Sequence, residues 1–464
     1  MNQDQFFLYG QQNHIQLKAE RASYYLQGEI IEAFSENNEV YYLFFYKSQF
    51  LTAAKATRLR RNSFIEHAFK KGMVFESPHP LINVLLTSNQ PCQIISLKPL
   101  LKKLEVNYSP QEKAHILTFF ESFVPKKQLF EEMISIFYEY RRNGQRYLGY
   151  RIIQILMDFA PKHSLVKQLA KDPMANKYAS LYNEGSEKLF EKDLIFAEKT
   201  LYSQKDNEQK FNLLIAHLEL ESRWSDLIAM FMYKLILTPS TDYYNPLKKT
   251  LEQHLNENET VYILEQLSCQ LPNFLPLQQD LFNEYVKENR LEEIFTMMNK
   301  YDFKLSNDQI ETFENMLQQL DLNAHSLQPD RLNQLLSPLI DLIPEKAELL
   351  LNKYVSSLLK NYDLTYIGEW LAPFKENHQT LEVFKRIDTM KKLSDDLDQM
   401  QTLGELYYEF KHLDKAIECF SWEMELKPNE PKPIQWISKV YRDKGMNTES
   451  DAYRQLCINL QKRA

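Results

Sequence analysis

Glycine is scarce in this chain, nine in 464 residues. Folds built on many tight turns or glycine-rich loops need backbone positions with φ > 0, so this count disfavours them and favours helix. Cysteine is scarcer still. Cys92, Cys269, Cys419 and Cys457 stand far apart, without the close pair that a zinc ribbon or redox motif requires, and they read as reduced core residues. Long apolar runs are missing as well. A stretch such as Val40 to Tyr46 is far short of a membrane span, and the first residues lack the basic-then-apolar order of a signal peptide. The expectation is a soluble, cytoplasmic protein with no membrane span.

Familiar catalytic spacings are absent too. There is no GxGxxG, HExxH or GxSxG, and the nearest approach to a phosphate-cradling loop, Gly144 to Gly149, lacks the lysine that such a loop requires. The ten histidines are dispersed, none within four residues of another or of a cysteine. The run Asp395, Asp396, Asp398 follows Ser394 and reads as a helix start, where carboxylates satisfy free N–H groups, better than as a metal site. No catalytic residue, metal site or cofactor is expected. Because triads assemble from distant positions, an enzyme with an unrecognised site in the amino-terminal domain stands as a second alternative.

What is present is an ordinary folded composition, 44% hydrophobic and 25% charged. Net charge is −8, unevenly spread: residues 1–150 hold 18 Lys/Arg against 14 Asp/Glu, or +4, leaving −12 for the rest. Lys55, Arg58, Arg60, Arg61, Lys70 and Lys71, with Glu66 the only acid among them, are the candidate anion contact, and they support an alternative reading as a nucleic-acid-associated protein. On one helix these side chains would point round most of its circumference, which favours a solvated helix.

The first fifty residues differ from the remainder. His14–Glu20, Tyr24–Ile31 and Val40–Tyr46 are rich in β-branched and aromatic residues and predict a small antiparallel sheet packed on helices. Leu51 to Lys71 predicts helix, and 78–110 a looser region with a short helix near Leu97–Leu104. Beyond that, prolines fall mostly between periodic apolar segments, as hairpin boundaries do. Between Pro173 and Pro239, which has none, Glu184-Gly185-Ser186, Lys205-Asp206-Asn207 and Ser222-Arg223 offer turns.

The most informative stretch is Leu403 to Pro428. Leu403, Gly404 and Tyr407 fall on one helix face, and Ala416, Phe420 and Pro428 follow at the spacing of a helix-turn-helix unit of about 34 residues. Small Ala416 admits close approach while Phe420 fills the gap. Tyr441, Gly445 and Tyr453 mark a second unit. The pattern resembles the tetratricopeptide repeat, with Met400, Glu423 and Ser438 departing from the residues that family prefers. Two earlier segments carry a worn version: Leu214, Leu218, Leu227, Phe231, Pro239 at an offset of 189, and Leu281, Tyr285, Ile294, Met298 at an offset of 122.

The fold expected is mainly α: an α-solenoid of such hairpins (106–390 degenerate, 391–464 the recognisable pair) after a small β-containing amino-terminal domain (1–105). The resemblance implies a non-enzymatic scaffold or adaptor that binds a protein segment or helix in a groove lined by the first helices. By position these supply Asp398, Gln401, Glu405, Tyr408 and Glu409 from one repeat and Lys432, Gln435, Lys439, Arg442 and Asp443 from the next. Lys432, Lys439 and Arg442 recur at helical spacing, which suits an acidic partner.

Overall fold

The computed structural model describes residues 5–10, 14–56, 58–172, 177–179, 182, 189, 192–301, 311, 312, 315, 333, 336, 340, 344–378 and 380–461. The turn expected at Glu184–Ser186 lies outside these residues. The chain divides into two units, 1–281 and 282–464. Among the described residues no helix is long and apolar enough to cross a membrane.

In the first unit β1 (Gln5–Tyr9), β2 (His14–Tyr25), β3 (Gly28–Ser35), β4 (Val40–Tyr46), β5 (Gln49–Ala56), β6 (Met73–Glu76) and β7 (Cys92–Gln93) form one sheet. The order is β5-β4-β3-β2-β1-β7, with β6 pairing β2. Every ladder is antiparallel except β1 with β7. The sheet is larger than the three strands read from the sequence, and two assignments need correction. Tyr24–Ile31 is not one strand, because Tyr25 pairs with Gly28 across a turn at Leu26 and Gln27. Leu51–Lys71 is not one helix: Leu43 lies opposite Ala53 and Phe44 opposite Thr52 in the β4–β5 ladder. An alanine-rich segment prefers helix in isolation, yet the exposed edge of β4 claims it. Helix α1 starts only at Phe64 (Phe64–Lys71), where the Ser63 hydroxyl accepts from Glu66 N–H at 3.4 Å.

Helices α2 (Pro80–Ser88), α3 (Leu97–Asn107), α4 (Pro110–Leu117), α5 (Lys126–Arg142), α6 (Arg146–Phe159), α7 (Ser164–Ala170), α8 (Leu194–Ser203), α9 (Glu208–Leu220), α10 (Trp224–Leu237), α11 (Thr241–His254) and α12 (Glu257–Gln270) follow. One face of the sheet is sealed by them. Phe44, Tyr46 and Leu51 pack in one core with Phe64, Ile65, Phe119, Phe120 and the apolar stripes of α5 and α6. Helix α13 (Leu275–Lys287) contains the division between units. The second unit adds α14 (Leu291–Lys300), α15 (Pro344–Leu358), α16 (Leu364–Asn377), α17 (Glu382–Leu393), α18 (Met400–Glu409), α19 (Leu413–Leu426), α20 (Pro431–Asp443) and α21 (Asn447–Gln461).

The repeat register shows in the turns. Gly144, Ser222, Asn289, Lys411 and Gly445 all have φ between 55° and 79°. Each sits between two helices with the same bonding: the next residue's N–H reaches back five residues, as from Arg223 to the Leu218 carbonyl (3.0 Å) and from His412 to Tyr407 (2.9 Å). The left-handed residue bonds back three. This double closure satisfies carbonyls that a helix end would otherwise leave bare. Ser222 and Asn289 stand at the offsets of 189 and 122 from Lys411, and in the worn units Leu214, Leu218, Leu227, Phe231, Leu281, Tyr285 and Ile294 are buried. Met298's side chain lies outside the described residues. Gly144 marks a further unit that the sequence reading passed over: Tyr140, Gly149 and Pro161 stand where Tyr407, Ala416 and Pro428 do, all 267 residues apart.

Within the best unit, a Cβ built on Gly404 would lie 2.6 Å from a Phe420 ring carbon. Gly404 and Phe420 are thus complementary across the α18–α19 contact, and Ala416 and Phe420 are wholly buried with Ile437 and Val440.

Three turns, each with a left-handed non-glycine residue, meet in the first unit: Leu26-Gln27, Lys47-Ser48 and Ser222-Arg223. The buried Arg223 guanidinium donates from Nη1 to Glu198 Oε1 (2.7 Å), from Nε to Asp226 Oδ2 (3.1 Å) and from Nη2 to the Leu26 carbonyl (2.8 Å). Gln27 donates to Glu198 Oε2 (2.6 Å) and Tyr46 donates to Gln27 (2.8 Å). Lys47 pairs with Glu221 at 2.8 Å, and the Ser48 and Ser225 hydroxyls lie 3.1 Å apart. Burial by itself would raise the Glu198 carboxyl, but the Arg223 charge and hydrogen bonds from His217, Arg223 and Gln27 outweigh it and hold the group at about 2. Glu29, which accepts from Ser48 N–H at 3.0 Å, is pushed the other way, to about 8, by burial and by the neighbouring Asp226.

Three outcomes follow from this packing. Gly404→Val should lower stability by about 1–3 kcal/mol through overpacking against Phe420; a melting curve identical to wild type would exclude the contact. Arg223→Met should cost on the order of 3–5 kcal/mol, because Glu198 and Asp226 lose their buried counter-charge, as chemical denaturation would measure. Glu29 titrates higher folded than unfolded, so its contribution is full below pH 4.5 and is lost as pH rises through about 8. Glu29→Gln cannot titrate, so its Tm relative to wild type should rise between about pH 5 and pH 8; a pH-independent difference would refute the assignment.

Candidate functional site

Helices α18 and α20 are the first helices of adjacent hairpins, and most of the expected groove residues lie along them. The residues are joined across the two helices. Lys432 Nζ is 2.9 Å from Glu405 Oε1, which also accepts from Gln401 Nε2 at 2.7 Å. Tyr408 donates to Asp443 Oδ2 at 2.5 Å. The Lys439 ammonium lies over both the Tyr408 ring (4.5 Å to its centre) and the Trp436 ring (4.3 Å). Arg386 of α17 approaches Glu409 at 3.7 Å. Gln435 and Arg442 are exposed, as is Asp398 in the short 3₁₀ turn whose Asp396 side chain accepts from Asp398 N–H.

Electrostatics follow from these contacts. Burial pushes the Glu405 carboxyl up, but hydrogen bonds from Gln401 and Lys432 and the Lys432 charge prevail and leave it below the ordinary value. The hydrogen bond to Asp443 raises the Tyr408 hydroxyl. Lys432 and Lys439 already have partners within the pair, whereas Arg442 has no carboxylate at ion-pair distance among the described residues. Trp436 stacks on Phe420 at 5.5 Å and edges onto Tyr408, which places it at the centre of the face. The sequence reading missed it, although it stands one residue after Gln435, which the reading named.

The basic amino-terminal stretch is spread over three kinds of backbone. Lys55 sits on β5 and pairs with Glu39 at 2.6 Å; Lys70, at the end of α1, pairs with Glu66 at 2.6 Å. Arg58 is exposed in the connecting loop. Arg60, Arg61 and Lys71 line a large cavity in the first unit. A solvated helix therefore gives way to a strand, a loop and a short helix.

Glu198, His217 and Glu221 form the one group among the described residues with three donor atoms close enough for a metal ion. Arg223 Nη1 contacts both carboxylates, Glu198 at 2.7 Å and Glu221 at 3.5 Å, and supplies there the positive charge that an ion would bring. The i,i+4 spacing of His217 and Glu221 was its only local signal.

No protein-family model matches the chain, and no curated protein matches it. Among solved structures it is similar to a chain of "Structure of Naa15/Naa10 bound to HypK-THB", at 12% identity over 86% of this chain and 63% of that one, with a TM-score of 0.21. It is likewise similar to a chain of "Crystal Structure of the Chs5-Bch1 Exomer Cargo Adaptor Complex", at 11% identity over 95% of this chain and 73% of that one, with a TM-score of 0.16. This chain thus spans less than two thirds of the first of these, and at such TM-scores neither likeness carries an argument about fold or function.

Proposed function

We propose that the chain is a non-catalytic, cytoplasmic protein-binding scaffold, and that residues 391–464 hold a peptide segment or helix of a partner against α18 and α20. The observation that carries this reading is the aromatic centre formed by Tyr408 and Trp436 with Lys439 laid across both rings. Around it Glu409, Lys432, Gln435 and Arg442 are exposed. Aromatic centres with charged rims are what protein interfaces use, because the rings bury large area at low entropic cost while the rim excludes wrong partners. An acidic segment would meet Arg442 directly and exchange its carboxylates for Glu405 at Lys432. Residues 1–105 and 106–390 then act as the body on which the carboxy-terminal pair is carried.

The test is affinity purification of the tagged full-length protein with nuclease present, compared with a Lys439→Glu, Arg442→Glu double variant by quantitative mass spectrometry. The variant should lose about tenfold or more of a specific protein partner, equivalent to at least about 1.4 kcal/mol, while its Tm stays within about 2 °C of wild type. Equal recovery by a folded double variant would exclude this face.

A further inference from the structure

We infer that the first unit carries a binding site for a nucleoside phosphate, in the cavity bounded by α1, α4, α6 and the start of α8. The cavity encloses about 820 Å³, within the roughly 300–1,000 Å³ of small-molecule sites. Its wall is aromatic: Tyr25, Phe64, Phe159 and Phe196 all face it. Such rings stack on a flat base irrespective of its identity.

The polar groups divide into two sets. Deep in the wall, Gln111 is only 4% exposed; its Nε2 donates to Asp193 Oδ1 at 2.7 Å and its Oε1 has no partner. His115 Nε2 and Arg151 Nε, on the same wall, are buried and make no hydrogen bond, although Arg151 Nε lies 3.8 Å from Asp193 Oδ2. Buried polar atoms are nearly always hydrogen-bonded, so an open acceptor and an open ring nitrogen, beside a guanidinium N–H that makes no hydrogen bond, call for a ligand edge bearing both donors and acceptors. Burial pushes the His115 imidazole down to about 4, which leaves it neutral at pH 7 and able to serve either role.

At the rim the charge is positive. The lining holds seven Lys/Arg and three Asp/Glu, a balance of 7 − 3 = +4. Each acid has a cation beside it: Asp158 pairs with Lys199, Glu121 with Lys126 (3.4 Å), and Asp193 with Arg151 (3.8 Å). Arg60, Arg61, Lys71 and Lys162 are left exposed, with no carboxylate at ion-pair distance among the described residues. Four free cations around one opening suit a run of phosphates, and the arginine forks match phosphate oxygens in pairs. Arg60, Arg61, Lys71 and Lys162 ring the cavity, whereas Lys55 and Lys70 are outside its lining and paired with Glu39 and Glu66, which fits a small ligand better than a nucleic-acid strand.

The experiment is isothermal titration of the full chain with ATP, GTP, adenosine, guanosine, inorganic triphosphate and a single-stranded oligonucleotide. ATP or GTP should bind one to one, about tenfold or more tighter than its nucleoside or triphosphate alone. An Arg60→Ala, Lys162→Ala double variant should weaken that binding about tenfold or more with its Tm unchanged, since both side chains are exposed. Gln111→Leu should weaken it too, while leaving triphosphate binding as in wild type. The proposal is overturned if neither nucleotide binds, if triphosphate alone binds as tightly, or if the double variant is unaffected. It is equally overturned if the oligonucleotide binds with affinity that rises with length and is not displaced by ATP. None of these readouts involves α18 or α20, so the site stands or falls apart from the proposed scaffold function.

Discussion

The first unit depends on one guanidinium. Arg223 is buried among Glu198, Asp226 and the Leu26 carbonyl, and around it the two sheet turns at Leu26-Gln27 and Lys47-Ser48 are fixed to the α9–α10 hairpin. A buried cation is tolerable only when its counter-charges and hydrogen bonds are nearly complete, and here Gln27, Tyr46 and His217 complete them. The arrangement also accounts for left-handed backbone at Leu26, Lys47 and Ser48. Such conformations are costly without glycine, and they persist because the side chains or carbonyls of these turns are committed to the hub. Glu29 and Glu198, both fully buried, are driven in opposite directions because one lies beside Asp226 and the other against Arg223.

Conformation, rather than residue identity, is what the hairpins hold in common. The left-handed turn residue is Gly, Ser, Asn, Lys and Gly in the five units, yet the backward hydrogen bonds are the same in each. The geometry is required because two antiparallel helices must reverse within a few residues while the last carbonyls of the first remain bonded. Glycine serves it with least strain, and a chain with only nine glycines meets it in three of five cases with other residues. The units therefore share the hydrogen bonds of the turn more closely than they share its residues. Leu227 and Ile294 replace the small Ala416, and both remain buried.

Legibility from sequence tracked contact distance along the chain. The spacing of Ala416 and Phe420 on one helix was legible, whereas the contact of Gly404 with Phe420, sixteen residues away across a turn, became visible only once the two helices were packed. Trp436, the centre of the α18–α20 face, was missed because its role comes from stacking on Phe420 in the preceding hairpin. The basic stretch was visible as charge, but its division among strand, loop and helix was not, since β5 becomes a strand only when β4 is beside it.

By itself, then, the sequence determined the helical hairpin as the unit of construction, its register near the carboxy terminus and a β-rich start. Those features rest on periodicity, scarce glycine and small-to-large pairing, all of them local. Tertiary structure decided the seven-stranded sheet, the Arg223 hub and the cavity below Arg60 and Arg61. The contacts that tie the sheet turns to the helices of the hub join residues 171 to 197 positions apart, such as Gln27 with Glu198 and Arg223 with Leu26. At that separation no spacing rule connects partners; only the packing of the helices on the sheet brings them together, and desolvation then makes each unpaired charge too costly to leave unmet.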